Sequence, residues 1–138
     1  MIIHPRHFIR FIDGRAGRQL EIAFLPGELA AHIGTPQTSV SLHLDYAKKL
    51  LSKHSLKFDD LEHIQSAIDF GICVLEKPVR LKFLYDRGIE RPEMYILLLK
   101  TDSTRREVWL QTFHRIQRPQ YEKHLVRNHV IRLPLRAE

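Results

Sequence analysis

Between Ile72 and His114 the apolar positions gather into four short runs: Ile72–Glu76, Val79–Tyr85, Met94–Lys100 and Glu107–His114. Each is rich in β-branched, aromatic or leucine residues, and each has the length of a strand. Lys77-Pro78 and Asp86-Arg87-Gly88 lie near the breaks between the first three, and Thr101–Arg106 is a charged turn before the fourth. Connections this short predict antiparallel neighbours. Met94–Leu99 is apolar on both faces and belongs at the centre of a sheet, whereas the other runs alternate.

Upstream the period changes. Ser41 reads as the N-cap of a helix running to about Lys53, with Leu44, Ala47, Leu50 and Leu51 as its apolar stripe and His43 and His54 beside it. Asp59-Asp60-Leu61-Glu62 has the form of a capping box that opens a second helix. Its apolar face is Leu61, Ile64, Ala67 and Ile68, and Gly71 stops it. At the start of the chain, His7–Ile12 and Arg18–Phe24 flank Asp13-Gly14, which predicts a β-hairpin. Residues 25–38 read as loop with one helical turn at Glu28–Ile33, and Pro119–Asn128 as a last helix. The expected fold class is α+β, two helices followed by a four-stranded, mostly antiparallel sheet, with an N-terminal β-hairpin and a C-terminal helix. Residues 1–138 form a single domain: a hairpin extension over 1–38, a core over 39–114, and a basic helix and tail over 115–138.

Composition narrows the chemistry. The 138 residues contain no apolar run near the ~18 needed to span a membrane, so no membrane association is expected. The arginines and histidines of the first ten residues argue against a secretory signal. A lone Cys73 excludes an internal disulfide framework, reads as core, and fits a reducing, cytoplasmic setting. There is no Cys pair, no His-x₃-His spacing and no acidic cluster for two metals, so the expectation is no metal and no cofactor. Phosphate-loop, dinucleotide and serine-elbow motifs are missing as well. The net charge of +6 is concentrated at the ends: residues 1–20 carry four arginines against one aspartate, and residues 114–138 six basic side chains against two acidic. That pattern suits a polyanion such as RNA, or simply keeps the chain in solution.

Alternation places Arg80, Lys82 and Leu84 on one face of their strand. In the last run Trp109, Gln111 and Phe113 share one face, and Leu110, Thr112 and His114 the other. If Trp109 and Phe113 pack under the helices, then Arg80, Lys82, Thr112 and His114 share the uncovered side, on which no carboxylate balances the two cations. For any one of them taken singly, solvation of a polar sheet face is the better explanation; the combination is what stands out. His54 reads either as a helix-terminal histidine favoured by the dipole or as an acid/base group.

Leu51-Ser52-Lys53-His54, then Ala67–Val79 with Lys77-Pro78, then Val108-Trp109-Leu110-Gln111-Thr112-Phe113 resemble, in order and spacing, the phage-associated barnase–EndoU–colicin–RelE-like nucleases. The likeness spans Ser41 to Phe113, about half of the chain. It implies a metal-independent endoribonuclease of toxin or effector type, held by an inhibitory antitoxin or immunity protein. His54 would be its acid/base, Arg80 or Lys82 its phosphate-binding cation, and Thr112 its final-strand hydroxyl, with His114 as a second acid/base. Lys53 and the basic C-terminal residues Arg115, Arg118, Lys123 and Arg127 would grip RNA. Such cleavage uses the 2′-hydroxyl as an internal nucleophile, and needs a base, an acid and cations around the phosphorane. The alternative is a non-catalytic RNA- or protein-binding module on the same scaffold.

Overall fold

The chain begins with a helix, not a hairpin. In a computed structural model that describes residues 4–36, 38–52, 56, 58–77, 80–88, 93–102, 106–127 and 129–133, helix α1 spans Pro5–Ile12. The His4 ring nitrogen caps it by accepting from the Arg6 amide, and Pro5 occupies its first turn, where no amide hydrogen is needed. Phe8 and Phe11 are buried three residues apart and Ile12 packs beside them, so the run follows a helical period. Asp13-Gly14 is a real turn signal put to another use. Gly14, at φ +79°, lets its own amide reach Phe11 and the Arg15 amide reach Arg10, the paired bonds of a glycine-terminated helix.

Strand β1 (Gln19–Phe24) follows, then helix α2 (Gly27–His32) and strand β2 (Ser39–His43). Ser41 therefore lies within a strand rather than capping a helix. Val40 and Leu42 are buried in alternation, and helix α3 (Leu44–Ser52) starts only after His43. The second expected helix is two pieces, α4 (Phe58–Leu61) and α5 (His63–Phe70), with Leu61, Ile64, Ala67 and Ile68 buried as read from the sequence. Gly71 does follow the last helical residue, but in extended backbone at φ −72°. Its requirement is space: a Cβ there would come within 2.5 Å of the Ala67 carbonyl oxygen and 2.9 Å of that of Leu84.

Strands β3 (Ile72–Lys77), β4 (Arg80–Asp86), β5 (Met94–Thr101) and β6 (Val108–Ile116) match the four runs and pair antiparallel in sequence order. Helix α6 (Arg118–Arg127) and strand β7 (His129–Arg132) complete the described chain. The sheet is seven-stranded, ordered β1-β2-β6-β5-β4-β3-β7, and mixed, because β2 runs parallel to β6 while every other pair is antiparallel. The expected four-stranded sheet after two helices is thus corrected on three counts. The first segment is a helix, β1 and β2 extend one edge, and β7 adds to the other.

Each face of the sheet has its own core. On one, Phe8, Phe11, Leu29, Ala47, Leu50, Leu61, Ile64 and Ile68 from the first five helices meet Leu81, Phe83, Leu97 and Phe113 from the strands. On the other, Tyr121 and Leu125 of α6 cover Ile72, Val74, Leu84, Met94, Ile96 and Ile116. Helix α6 covers only part of that second face. The strip formed by β1, β2 and the start of β6 carries Gln19, Glu21, Ser41, His43 and Trp109 there.

Candidate active cleft

A single irregularity decides which side chains of β6 face the second side. Leu98 pairs with Thr112 and Leu99 with Leu110, so Gln111 is an extra residue, a bulge. Past the bulge the alternation changes phase. Val108 and Leu110 before it and Phe113 after it all point into the helix-side core, while Trp109, Thr112, His114 and Ile116 point away. The expectation that Trp109 and Phe113 share the core face is therefore overturned for Trp109.

Thr112 and His114 line a cleft of about 450 Å³ between the sheet and α6. Ile96, Leu98 and Ile116 form its apolar floor, and Gln120, Lys123 and His124 project from the helix. The i, i+3, i+4 spacing of those three puts them on one side of α6, next to the buried Tyr121 and the partly buried Leu125. His124 was not singled out from the sequence. The helical period was visible, but which sheet face the helix would cover was not.

Lys82 joins the cleft from below. Its Nζ lies 2.9 Å from His124 Nδ1 and 2.7 Å from Glu76 Oε2, and the residue is only 5% exposed. Arg80 pairs with the other oxygen of Glu76 at 3.1 Å. The face therefore does contain a carboxylate, contrary to the reading from alternation. Glu76 ends its own run in the sequence and meets Arg80 and Lys82 only because β3 pairs with β4. Burial pushes the Glu76 carboxyl up, but the hydrogen bonds and charges of Lys82 and Arg80 outweigh this and hold it below its ordinary value.

These contacts orient the two imidazoles oppositely. An ammonium can only donate, so His124 Nδ1 accepts from Lys82 and the ring carries its proton on Nε2. His114 Nδ1 lies 3.0 Å from the Arg115 carbonyl oxygen, which can only accept, so a hydrogen bond there takes the proton on Nδ1 and leaves Nε2 as the nitrogen for proton exchange. Tyr46 of α3 reaches the backbone of β6 beyond its two-residue pairing with β2, where its hydroxyl accepts the Phe113 amide at 2.7 Å and also bonds the Thr112 hydroxyl.

The remaining candidates disperse. Arg115, on the opposite face from His114, pairs with Asp60 at 2.8 Å in a second cleft of about 320 Å³, where Tyr95 donates to the same carboxylate at 2.7 Å. Burial, reinforced by Asp60, drives the Tyr95 phenol upward. Arg118 pairs with Asp86 at 3.0 Å. Lys53 and His54 lie outside the described residues, as does the side chain of Arg127. Cys73 is fully buried, with desolvation pushing its thiol up to about 12. Among the described residues no three His, Cys, Asp or Glu side chains cluster as metal ligands, and no helix is long and apolar enough to cross a membrane. Comparisons with protein families, curated proteins and solved structures gave no significant match.

Proposed function

We propose that the cleft between α6 and the sheet cleaves RNA without a metal, by attack of the 2′-hydroxyl on the adjacent phosphate. The observation that carries this reading is a pair of imidazoles on one cleft, one with its Nδ1 against an ammonium and the other with its Nδ1 against a carbonyl oxygen. His114 Nε2 takes the 2′-hydroxyl proton as O2′ bonds to phosphorus. His124 Nε2 gives its proton to the departing 5′-oxygen and is resupplied at Nδ1 by the Lys82 ammonium. The products are a 2′,3′-cyclic phosphate and a free 5′-hydroxyl. Lys123 contributes positive charge at the rim, and Thr112, tied to Tyr46, is a fixed polar contact for the phosphate. The resemblance to toxin-type nucleases implies the same chemistry but assigns the acid/base to His54, whereas the pair proposed here stands on β6 and α6.

The test is digestion of single-stranded RNA by purified protein in chelator between pH 5 and 8. Cyclic-phosphate ends are expected, and His114→Ala or His124→Ala should lower the rate by about 10²–10⁴-fold, the usual worth of an acid/base group.

A second reading, a non-catalytic RNA-binding module, is favoured by one observation: Glu76 already neutralises part of the charge of Lys82 and Arg80. Binding without any cleavage across that pH range decides for it.

A further inference from the structure

We propose that the stacked rings of His43 and Trp109 are a platform for one unpaired base of a single-stranded RNA whose backbone continues into the α6 cleft. The proposal rests on the reading of that cleft as an RNA site and adds where the neighbouring nucleotide is held.

The two rings lie 3.4 Å apart at an interplanar angle of 7°. Strands β2 and β6 pair at Val40–Val108 and Ser41–Trp109, and both rings stand on the face away from the first five helices. The apolar residues of α6 cover the β3, β4 and β5 side of that face and the end of β6, not this strip. By register the neighbours are polar: Gln19 opposite His43, and Ser41 and Lys100 on either side of Trp109. The bulge at Gln111 leaves the largest side chain of β6 outside the helix-side core and among these polar groups. The pair is stacked face to face, so each ring covers one face of the other and leaves its outer face for a base, and such stacking requires only a π-face and tolerates any sequence.

Two further features favour a nucleotide over a purely apolar ligand. His43 Nε2, Trp109 Nε1 and Gln111 Oε1 are buried polar atoms with no hydrogen-bond partner among the described residues. Such donors and acceptors meet the edge of a base only once the rings and the Gln111 amide turn outward on binding. Lys100, exposed and paired across the strands with Trp109, supplies a cation for the phosphate. Thr112 lies three residues farther along β6, but the bulge makes these span only Leu98 to Lys100 of β5, roughly 7 Å at the usual strand rise, so a short stretch of chain links platform and cleft.

Trp109 is the only tryptophan, so its emission reports the platform directly. The full chain is titrated in chelator with a single-stranded 2′-O-methyl oligonucleotide, which binds but cannot be cleaved by 2′-hydroxyl attack. Saturable quenching is expected with the oligonucleotide and, more weakly, with a nucleoside monophosphate, but not with inorganic phosphate. Anisotropy of a labelled oligonucleotide should show Trp109→Ala binding about tenfold or more weaker, with Trp109→Phe retaining most of the affinity and His43→Ala intermediate. The phenylalanine variant separates loss of stacking from loss of fold. Flat emission, equal quenching by inorganic phosphate, or undiminished affinity in Trp109→Ala overturns the platform. RNA cleavage with flat emission sinks the platform alone. Quenching by the oligonucleotide with no cleavage of natural RNA sinks the cleavage reading and leaves the platform standing.

Discussion

Lys82 shows how much a residue's surroundings change its meaning. In sequence it is one of two cations on an alternating strand, and its loss would be expected to leave stability untouched. In the fold its ammonium is buried between Glu76 and His124. Removing one partner of a buried pair strands the other, at a cost of about 3–5 kcal/mol when both are fully enclosed. Glu76 keeps about 20% of its side chain exposed, so Lys82→Ala should fall at or below the lower end of that range. The pH dependence follows from Glu76. Its carboxyl is lowered in the folded state, so the stability it contributes is complete above the ordinary value of 4.5 and is lost as the pH falls through the depressed one. Urea denaturation at pH 7 and pH 3 should show a smaller acid-induced loss for Lys82→Met than for the wild type. Equal losses would mean the pair is not the source.

At the scale of the element, the bulge in β6 and the crowding at Gly71 make separate predictions. Phe113 is fully buried in the helix-side core, whereas Trp109 is partly exposed on the open face. Phe113→Ala should therefore cost about 3–5 kcal/mol, the range for a buried large aromatic, and Trp109→Ala clearly less. Thermal melts of the two variants check this, and a reversed order would place the bulge elsewhere. Gly71→Ala forces a Cβ against the backbone of both α5 and β4 rather than against a flexible side chain. It should lose about 1–3 kcal/mol, as overpacking does, although alanine accepts its backbone angles without strain. A denaturation midpoint close to wild type would show that the helix end can shift freely. The helix stop at Gly71 was legible from sequence, but its cause was not, because Leu84 is brought there only by the sheet.

For the whole molecule, the basic C-terminal segment is not a continuous strip of uncompensated charge. Arg115 and Arg118 fold back onto Asp60 and Asp86, and Arg132 donates to the Gly71 carbonyl at 2.6 Å and lies over the Phe83 ring. The positive charge available to a polyanion is thus more local than the net +6 implies, with Lys123 at the rim of the cleft and Lys82 and Arg80 sharing one carboxylate beside it. Two or three phosphate contacts on a single strand correspond to about a tenfold loss of RNA affinity between 50 and 200 mM salt. Anisotropy across that range measures it, and a flat response would remove the electrostatic basis for RNA as the ligand.

Local period and punctuation determined the four strands from β3 to β6, their antiparallel order, the buried face of α5 and the stop at Gly71, because each depends on residues close together in the chain. They also indicated a helix near Pro119–Asn128. Pattern failed where two structures compete for the same residues. Asp13-Gly14 ends a helix as readily as it turns a hairpin, and Ser41 fits a strand as well as an N-cap. Only the tertiary structure decided that β2 lies parallel to β6, that β7 closes the far edge, that Glu76 faces Lys82, and that α6 sets His124 over Thr112 and His114. The physical reason is that a sheet has a side-chain period of two. One extra residue at Gln111 moves every later side chain of β6 to the other face, and where a strand takes up such a residue is settled by its neighbours across the sheet.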